Sequence, residues 1–290
     1  MVQNRESVTA KLCAFGRALH SNTSRDKVFD DYLAFDLMGK EEYDEIKDFI
    51  GSALGAEDAE DFLGKYFLPI VLSRTDFTEK RLEKFAADRK VQYVICGAGA
   101  DTFSFRNGNP NIEIFEIDHP DTQRYKLERI RGLEWNIPPN VRFVPVDFEK
   151  EKMTAKLLES GFDPNVGTFF SILGVTYYLT LPVFTETLRQ IAELSANGSA
   201  LALDYPQKGN FPERVSELAD ITESMGEKMQ GGYDYGDVSR ALYSLGFQID
   251  EFFTSRKIQE QYFSGRKDNL RAFENVNLLS AVYTGGLSFE

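Results

Sequence analysis

The sequence predicts an α/β fold: a seven-stranded, mostly parallel sheet covered by helices, with a helical cap before it and an insertion after its fifth strand. Three observations predict it. From Val91 onward, short apolar runs of strand length alternate with stretches of helical period, the pattern of a parallel sheet covered on both faces. The first of these runs ends in Gly97-Ala98-Gly99-Ala100-Asp101, a turn that lets backbone approach a ligand closely. Before Val91 the chain has helical period, many aromatic residues and no strand pattern.

In order along the chain, residues 1–90 hold "RDKVFDDYLAFDLMG" and "DAEDFLGKYFLPIVLSR", expected as a helical cap over the ligand edge of the sheet. "VQYVICG" then reads as a buried parallel strand closed by glycine. "IEIFEID" alternates apolar and acidic residues, and "VRFVPVD" carries Pro145, which suits an edge strand or a local irregularity. "GTFFSILGV" and "SALALDYP" complete five strands. Between them, "DTQRYKLERIRG" follows Pro120, tolerated in a first helical turn, and ends on glycine. "LPVFTETLRQIAELSANG" sets Phe184, Leu188, Ile191 and Leu194 on one helical face. Residues 206–237 form the insertion, with one polar helix bounded by glycines. "GDVSRALYSLGF" is a further helix, and "QIDEFF" and "NLLSAVYTG" form a last, hairpin-like pair of strands. The expected organisation is a cap over 1–90 and a core over 91–290, in one compact unit.

Of the 290 residues, 33 are Lys or Arg and 46 are Asp or Glu, a formal charge of −13 that argues against a nucleic-acid partner. The partner expected is a small molecule, recognised locally. Two cysteines far apart, Cys13 and Cys96, give no disulfide framework and suit a reducing, cytoplasmic setting. With His20 and His119 as the only histidines, no metal site is expected. The first residues are too charged for a secretory leader, and no apolar run reaches membrane-spanning length, so no membrane partner is expected. Composition does not fix the oligomeric state.

Ligands of open α/β sheets bind beyond the carboxyl ends of the strands. At that edge the first strand ends at Gly97, with Gly99 in the turn, and the second ends at Asp118, placed to accept hydrogen bonds from two ribose hydroxyls. The third ends in Asp147-Phe148, an acid for an exocyclic amine and a ring for stacking on adenine. A dinucleotide turn wants a third glycine where Thr102 stands, and Asp101 would repel a pyrophosphate. S-adenosylmethionine carries no phosphate, and its ammonium suits an acidic residue such as Asp101.

"GAGADTFSFR" followed by "FEIDHPDTQRYK" resembles the paired signature of the leucine carboxyl methyltransferase family, whose bacterial members include polyketide-type carboxyl O-methyltransferases. Gly97, Gly99, Asp101, Thr102 and Arg106 carry the first block; Glu116, Asp118, His119, Pro120, Gln123 and Lys126 carry the second. "TAKLCAFGRALH", "FDDYLAFDLMG", "LGVTYYLT" and "ALDYP" extend the resemblance over most of the chain. It implies a class I methyltransferase sheet, Rossmann-like, with S-adenosyl-L-methionine as methyl donor. It also implies that Arg74 holds the donor's carboxylate through a guanidinium fork, and that Leu173 lies at the donor. Phosphatase-methylating members have Glu-Gly-Val where this chain has Leu173-Gly174-Val175, and tyrosine at Phe105. These departures favour a small acceptor over a protein C-terminus.

The activity expected is O-methylation of a carboxylate, which is ionised near neutral pH and needs no general base. Tyr177, Tyr178 and Tyr205 are candidates to line the acceptor pocket, and Lys11 and Arg17 to anchor an anionic acceptor, each with core packing or a solvated surface as its plain alternative. His119 is expected to start a helix, with a base for a phenolic or hydroxyl acceptor as its alternative, Cys96 to be a buried apolar residue, and "EEYDEIKD" to be an exposed helix face. The alternative function is a non-catalytic protein that binds the methyl donor or its demethylated product as a sensor or assembly partner. A dehydrogenase is the more distant reading.

Overall fold

A computed structural model describes residues 7–147, 150–230 and 232–285. The chain opens with five helices, α1 (Val8–Thr23), α2 (Ala34–Met38), α3 (Lys40–Ala53), α4 (Ala59–Tyr66) and α5 (Leu68–Phe85). The alternating part runs β1 (Val91–Cys96), α6 (Phe103–Arg106), β2 (Ile112–Asp118), α7 (Pro120–Gly132), β3 (Val141–Pro145), α8 (Met153–Glu159), β4 (Thr168–Ile172), α9 (Leu181–Glu193) and β5 (Ala200–Pro206). After α10 (Glu213–Ser224) and α11 (Tyr235–Ser244) come β6 (Phe247–Phe253), α12 (Ser255–Ile258) and β7 (Val276–Tyr283).

Helix starts follow local chemistry. The Ser7 hydroxyl accepts from the Ala10 N–H at the head of α1, and Asp58 accepts from the Glu60 and Asp61 N–H groups at the head of α4. Proline occupies the first turn of α5, α7 and α9, where its missing N–H costs nothing. The His119 ring accepts from the Asp121 N–H at 3.3 Å, so this histidine starts α7 as expected.

The seven strands form one sheet in the order β3-β2-β1-β4-β5-β7-β6. β1 to β5 are parallel, and β7 runs antiparallel to both β5 and β6. Pro145 lies on β3, an edge strand, where a missing ladder donor is tolerated. The last two strands pair as expected, but a long segment joins them, and the final strand enters between β5 and β6, leaving β6 at the edge.

Alternation along each strand fills both faces. On β1, Tyr93 and Ile95 face one core with Phe169, Ala202 and the α5 residues Phe77 and Leu82. Val94 and Cys96 face the other, under Leu157 of α8, Phe184, Leu188 and Ile191 of α9, and Val238 and Leu242 of α11. The three α9 side chains are fully buried, each worth roughly 1.5–3 kcal/mol of transfer free energy. Helix α5 therefore covers a sheet face, packing on β4, β5 and β7, whereas α1 lies across the carboxyl edge.

Candidate cofactor site

At the end of β1 the chain turns through Gly97 (φ +77°) and Gly99 (φ +51°), left-handed conformations that glycine adopts without a side-chain penalty. Gly97 and Ala98 both donate to the Ile117 carbonyl, at 2.8 and 3.1 Å, so the turn is fastened to the end of β2. The Gly99 N–H then donates to Asp118 Oδ2 at 2.5 Å, and the His119 N–H to Asp118 Oδ1 at 2.7 Å. Burial raises the Asp118 carboxyl above its ordinary range, and those two N–H donors pull it back. Each oxygen keeps acceptor capacity beyond its backbone donor.

The missing side chain of Gly97 is used by the protein: a Cβ there would lie 2.5 Å from Val175 Cγ2. Beside Val175, a Cβ on Gly174 (φ +73°) would lie 2.7 Å from both terminal nitrogens of Arg74. Arg74 reaches this point from α5. Its Nη1 donates to Asp204 Oδ2 at 3.2 Å, and its Nη2 faces Cys13 Sγ of α1 at 3.8 Å. Burial opposes the charge of Arg74, but the Asp204 carboxylate outweighs it and keeps the guanidinium protonated. Tyr177 donates its hydroxyl to Asp204 Oδ2 at 2.9 Å. Asp118, Gly99, Gly97, Val175, Gly174, Arg74, Asp204 and Tyr177 thus form one continuous line along the carboxyl ends of β2, β1, β4 and β5. Leu173, half-buried, follows β4 directly.

A second network clamps α1 onto the turn. Arg17 donates from Nε to Asp31 Oδ2 at 2.8 Å and from Nη2 to the Ala100 carbonyl at 2.8 Å. The other Asp31 oxygen takes the Thr102 hydroxyl and stands 3.3 Å from Arg106 Nε. Arg106 closes the chain with a forked pair to Glu79 of α5, at 3.0 and 2.6 Å.

The residues singled out from sequence fall into distinct places. Gly97, Gly99, Asp118 and Arg74 come together as expected. Asp101 sits in the turn but spends Oδ1 on the Phe103 N–H at 2.6 Å, starting α6. Asp147 lies beyond β3 with its carboxylate 2.6 Å from Lys150 Nζ, and Phe148 lies outside the described residues. Tyr178 is half-buried, its hydroxyl 3.1 Å from Thr9 Oγ1. Arg17 is buried in the clamp and fastens α1, so it is not a solvated residue. Lys11 pairs with Glu42 at 2.8 Å and lies over the Tyr125 ring, which also turns Glu42 of the acidic run inward. Tyr205 departs from its expected place: it points to the opposite face from Asp204, among Tyr233 and Phe252, because neighbours on a strand face opposite sides.

Two functional positions escaped the sequence reading. Asp204, fully buried in "LDYP", organises Arg74, and its strand-end acid was the available signal. Asp31 had no local signal, since its partners lie far along the chain.

The family model for leucine carboxyl methyltransferases matches residues 10–192. A protein of Bacillus subtilis (strain 168), YktD, named as a candidate S-adenosyl-L-methionine-dependent methyltransferase, is 34% identical, covering 97% of this chain and 99% of its own. One of the same description from Mycolicibacterium gilvum is 30% identical over 90% of this chain and 80% of its own. Among solved structures, a DUF574-family protein of Streptomyces avermitilis superposes with TM-score 0.60 at 14% identity, covering 96% of this chain and 98% of that one. A candidate methyltransferase of Thermobifida fusca gives 0.57 at 16% identity, covering 83% and 95%. The sheet order and these likenesses make the fold that of a class I methyltransferase.

Proposed function

This chain belongs to the leucine carboxyl methyltransferase family and is an S-adenosylmethionine-dependent methyltransferase; from that premise we propose that it methylates a carboxylate of a small-molecule acceptor. The observation that carries the cofactor part is the pairing of Asp118 with the Gly99 N–H at the mouth of the glycine turn. The donor set fits the methyl donor: a carboxylate with spare acceptor sites for ribose hydroxyls, glycine backbone without side chains, and a charged guanidinium for the amino-acid carboxylate. In this reading Asp118, Gly97, Gly99 and Arg74 hold the donor, with Asp101, Asp147 and Leu173 around it.

When bound, S-adenosylmethionine supplies an activated methyl group on a sulfonium. The chain's own residues then position and dry the site. Burial, and for Tyr177 its bond to Asp204, pushes the Tyr177 and Tyr178 phenols up, so both stay neutral hydrogen-bond donors at pH 7 rather than bases. That matches an acceptor that is already ionised and needs only orientation. Helix α1 is clamped to the turn through Arg17 and the Ala100 carbonyl. Leu173, where the phosphatase-methylating members have glutamate, supports a small acceptor over a protein tail. Lack of a membrane-spanning helix among the described residues and the net acidic charge support cytoplasmic action on a diffusible acceptor.

The test is calorimetric titration with S-adenosylmethionine and S-adenosylhomocysteine for the wild type and Asp118→Ala, followed by a panel of small acids and phenols read by mass spectrometry. Saturable binding lost in the variant, with methyl esters from acids alone, is expected. Products from phenols only, or binding with no product across the panel, would sink the carboxylate reading.

A further inference from the structure

We infer that Asp204 is a positioning residue: it presets the Arg74 fork toward the donor's carboxylate, an inference that rests on the reading of Arg74 given above. Asp204 lies two residues before the end of β5, fully buried, and three elements meet on its carboxylate. Oδ1 accepts the Gly174 N–H at 2.7 Å, and Oδ2 accepts both Arg74 Nη1 at 3.2 Å and the Tyr177 hydroxyl at 2.9 Å. Its own carbonyl accepts the Thr176 hydroxyl at 2.7 Å, which fixes the backbone that carries it.

The geometry gives this cluster an aim. An arginine has a long, rotamer-rich side chain, and fixing it in advance removes an entropy cost from ligand binding. Here Asp204 grips one corner of the guanidinium while Gly174 lets its plane lie against the backbone, where any Cβ would collide with both terminal nitrogens. The second corner, Nη2, meets Cys13 Sγ at 3.8 Å, a weak acceptor that an incoming carboxylate outcompetes. Burial of the Cys13 thiol raises its pKa, so no thiolate competes for that corner. The same carboxylate balances the buried cation when no ligand does.

The experiment compares binding of S-adenosylhomocysteine with that of 5′-methylthioadenosine, which keeps the nucleoside and lacks the amino-acid carboxylate. Asp204→Asn keeps the shape of the side chain and removes its charge. It is expected to weaken S-adenosylhomocysteine binding tenfold or more and to leave methylthioadenosine within twofold. Equal affinity for S-adenosylhomocysteine, or equal losses for both nucleosides, would overturn the inference. Should Asp204→Asn not fold, it is replaced by Arg74→Met and the Arg74→Met/Asp204→Asn double variant, the latter removing both charges of the pair. Equal affinities in these two are expected, because Asp204 acts through Arg74; a further loss in the double variant would overturn it. Unchanged S-adenosylhomocysteine binding in Arg74→Met would instead sink the reading of Arg74 itself. A loss in Arg74→Met with none in Asp204→Asn sinks the Asp204 inference alone.

Discussion

The Glu227 carboxylate accepts the Val8 N–H at 2.5 Å, joining the insertion after β5 to the head of α1. The same carboxylate takes the Ser7 hydroxyl at 3.0 Å and the Thr9 N–H at 3.3 Å, and the Thr9 hydroxyl bridges on to Tyr178. A negative group against the first N–H groups of a helix satisfies donors that have no partner within it. Glu227 therefore ties the insertion to the head of α1, as Glu217 ties it to Tyr66 and Lys65 of α4.

Replacing Glu227 with alanine leaves those N–H groups to water and loosens the first turn of α1, at a local cost of about 1 kcal/mol. Hydrogen exchange should show faster exchange at Val8 and Thr9, with global unfolding nearly unchanged. Unaltered exchange at those amides would show that α1 is held by its apolar face alone.

Asp31 is buried between Arg17, Arg106 and the Thr102 hydroxyl. Asp31→Asn leaves the buried Arg17 guanidinium without its counter-charge, while Arg106 keeps its fork to Glu79, and a loss of roughly 3–5 kcal/mol is expected in urea unfolding. Because the pair Arg17–Ala100 holds α1 on the glycine turn, donor binding should weaken as well. A stability change under about 1 kcal/mol would show the clamp to be solvated in practice.

Gly97→Ala meets two penalties at once: a positive φ and a Cβ 2.5 Å from Val175 Cγ2. The expected cost is about 2–3 kcal/mol. Val175→Ala in the same chain should recover the collision and leave the backbone strain, roughly 1 kcal/mol. Additive losses in the double variant, measured by chemical denaturation, would remove Val175 from the account.

His20 Nε2 accepts the Val28 N–H at 3.0 Å, which requires an unprotonated nitrogen. Burial, helped by the Arg266 guanidinium, lowers its pKa from 6.5 to about 4. The unfolded chain therefore binds a proton that the folded chain refuses between these values, so this stability is present above 6.5 and is lost as pH falls toward 4. His20→Gln keeps an acceptor for Val28, and its stability profile should lack that part of the acid slope. Profiles that run parallel through this window would refute the assignment.

All seven strands, the glycine turn and Asp118 were legible in sequence, because each depends on local period or on what ends a strand. The same locality placed Pro145 at an edge and His119 at a helix start. Side-chain partners were not legible. Arg17 read as a candidate anchor for an anionic acceptor or a solvated cation, yet its donors are spent on Asp31 and Ala100. Tyr205 read as a pocket residue because it ends a strand, but its neighbour Asp204 takes the site face.

The sequence by itself determined the sheet, the position of the ligand edge and the chemical type of the donor, since periodicity and turn chemistry are properties of short segments. Tertiary structure decided where the last strand inserts, which side of β5 meets the site, and how Asp31, Asp204 and Glu227 fasten the edge. Those outcomes depend on buried charges finding partners many residues away, and the cost of leaving such charges unpaired selects the arrangement only once the whole chain has packed.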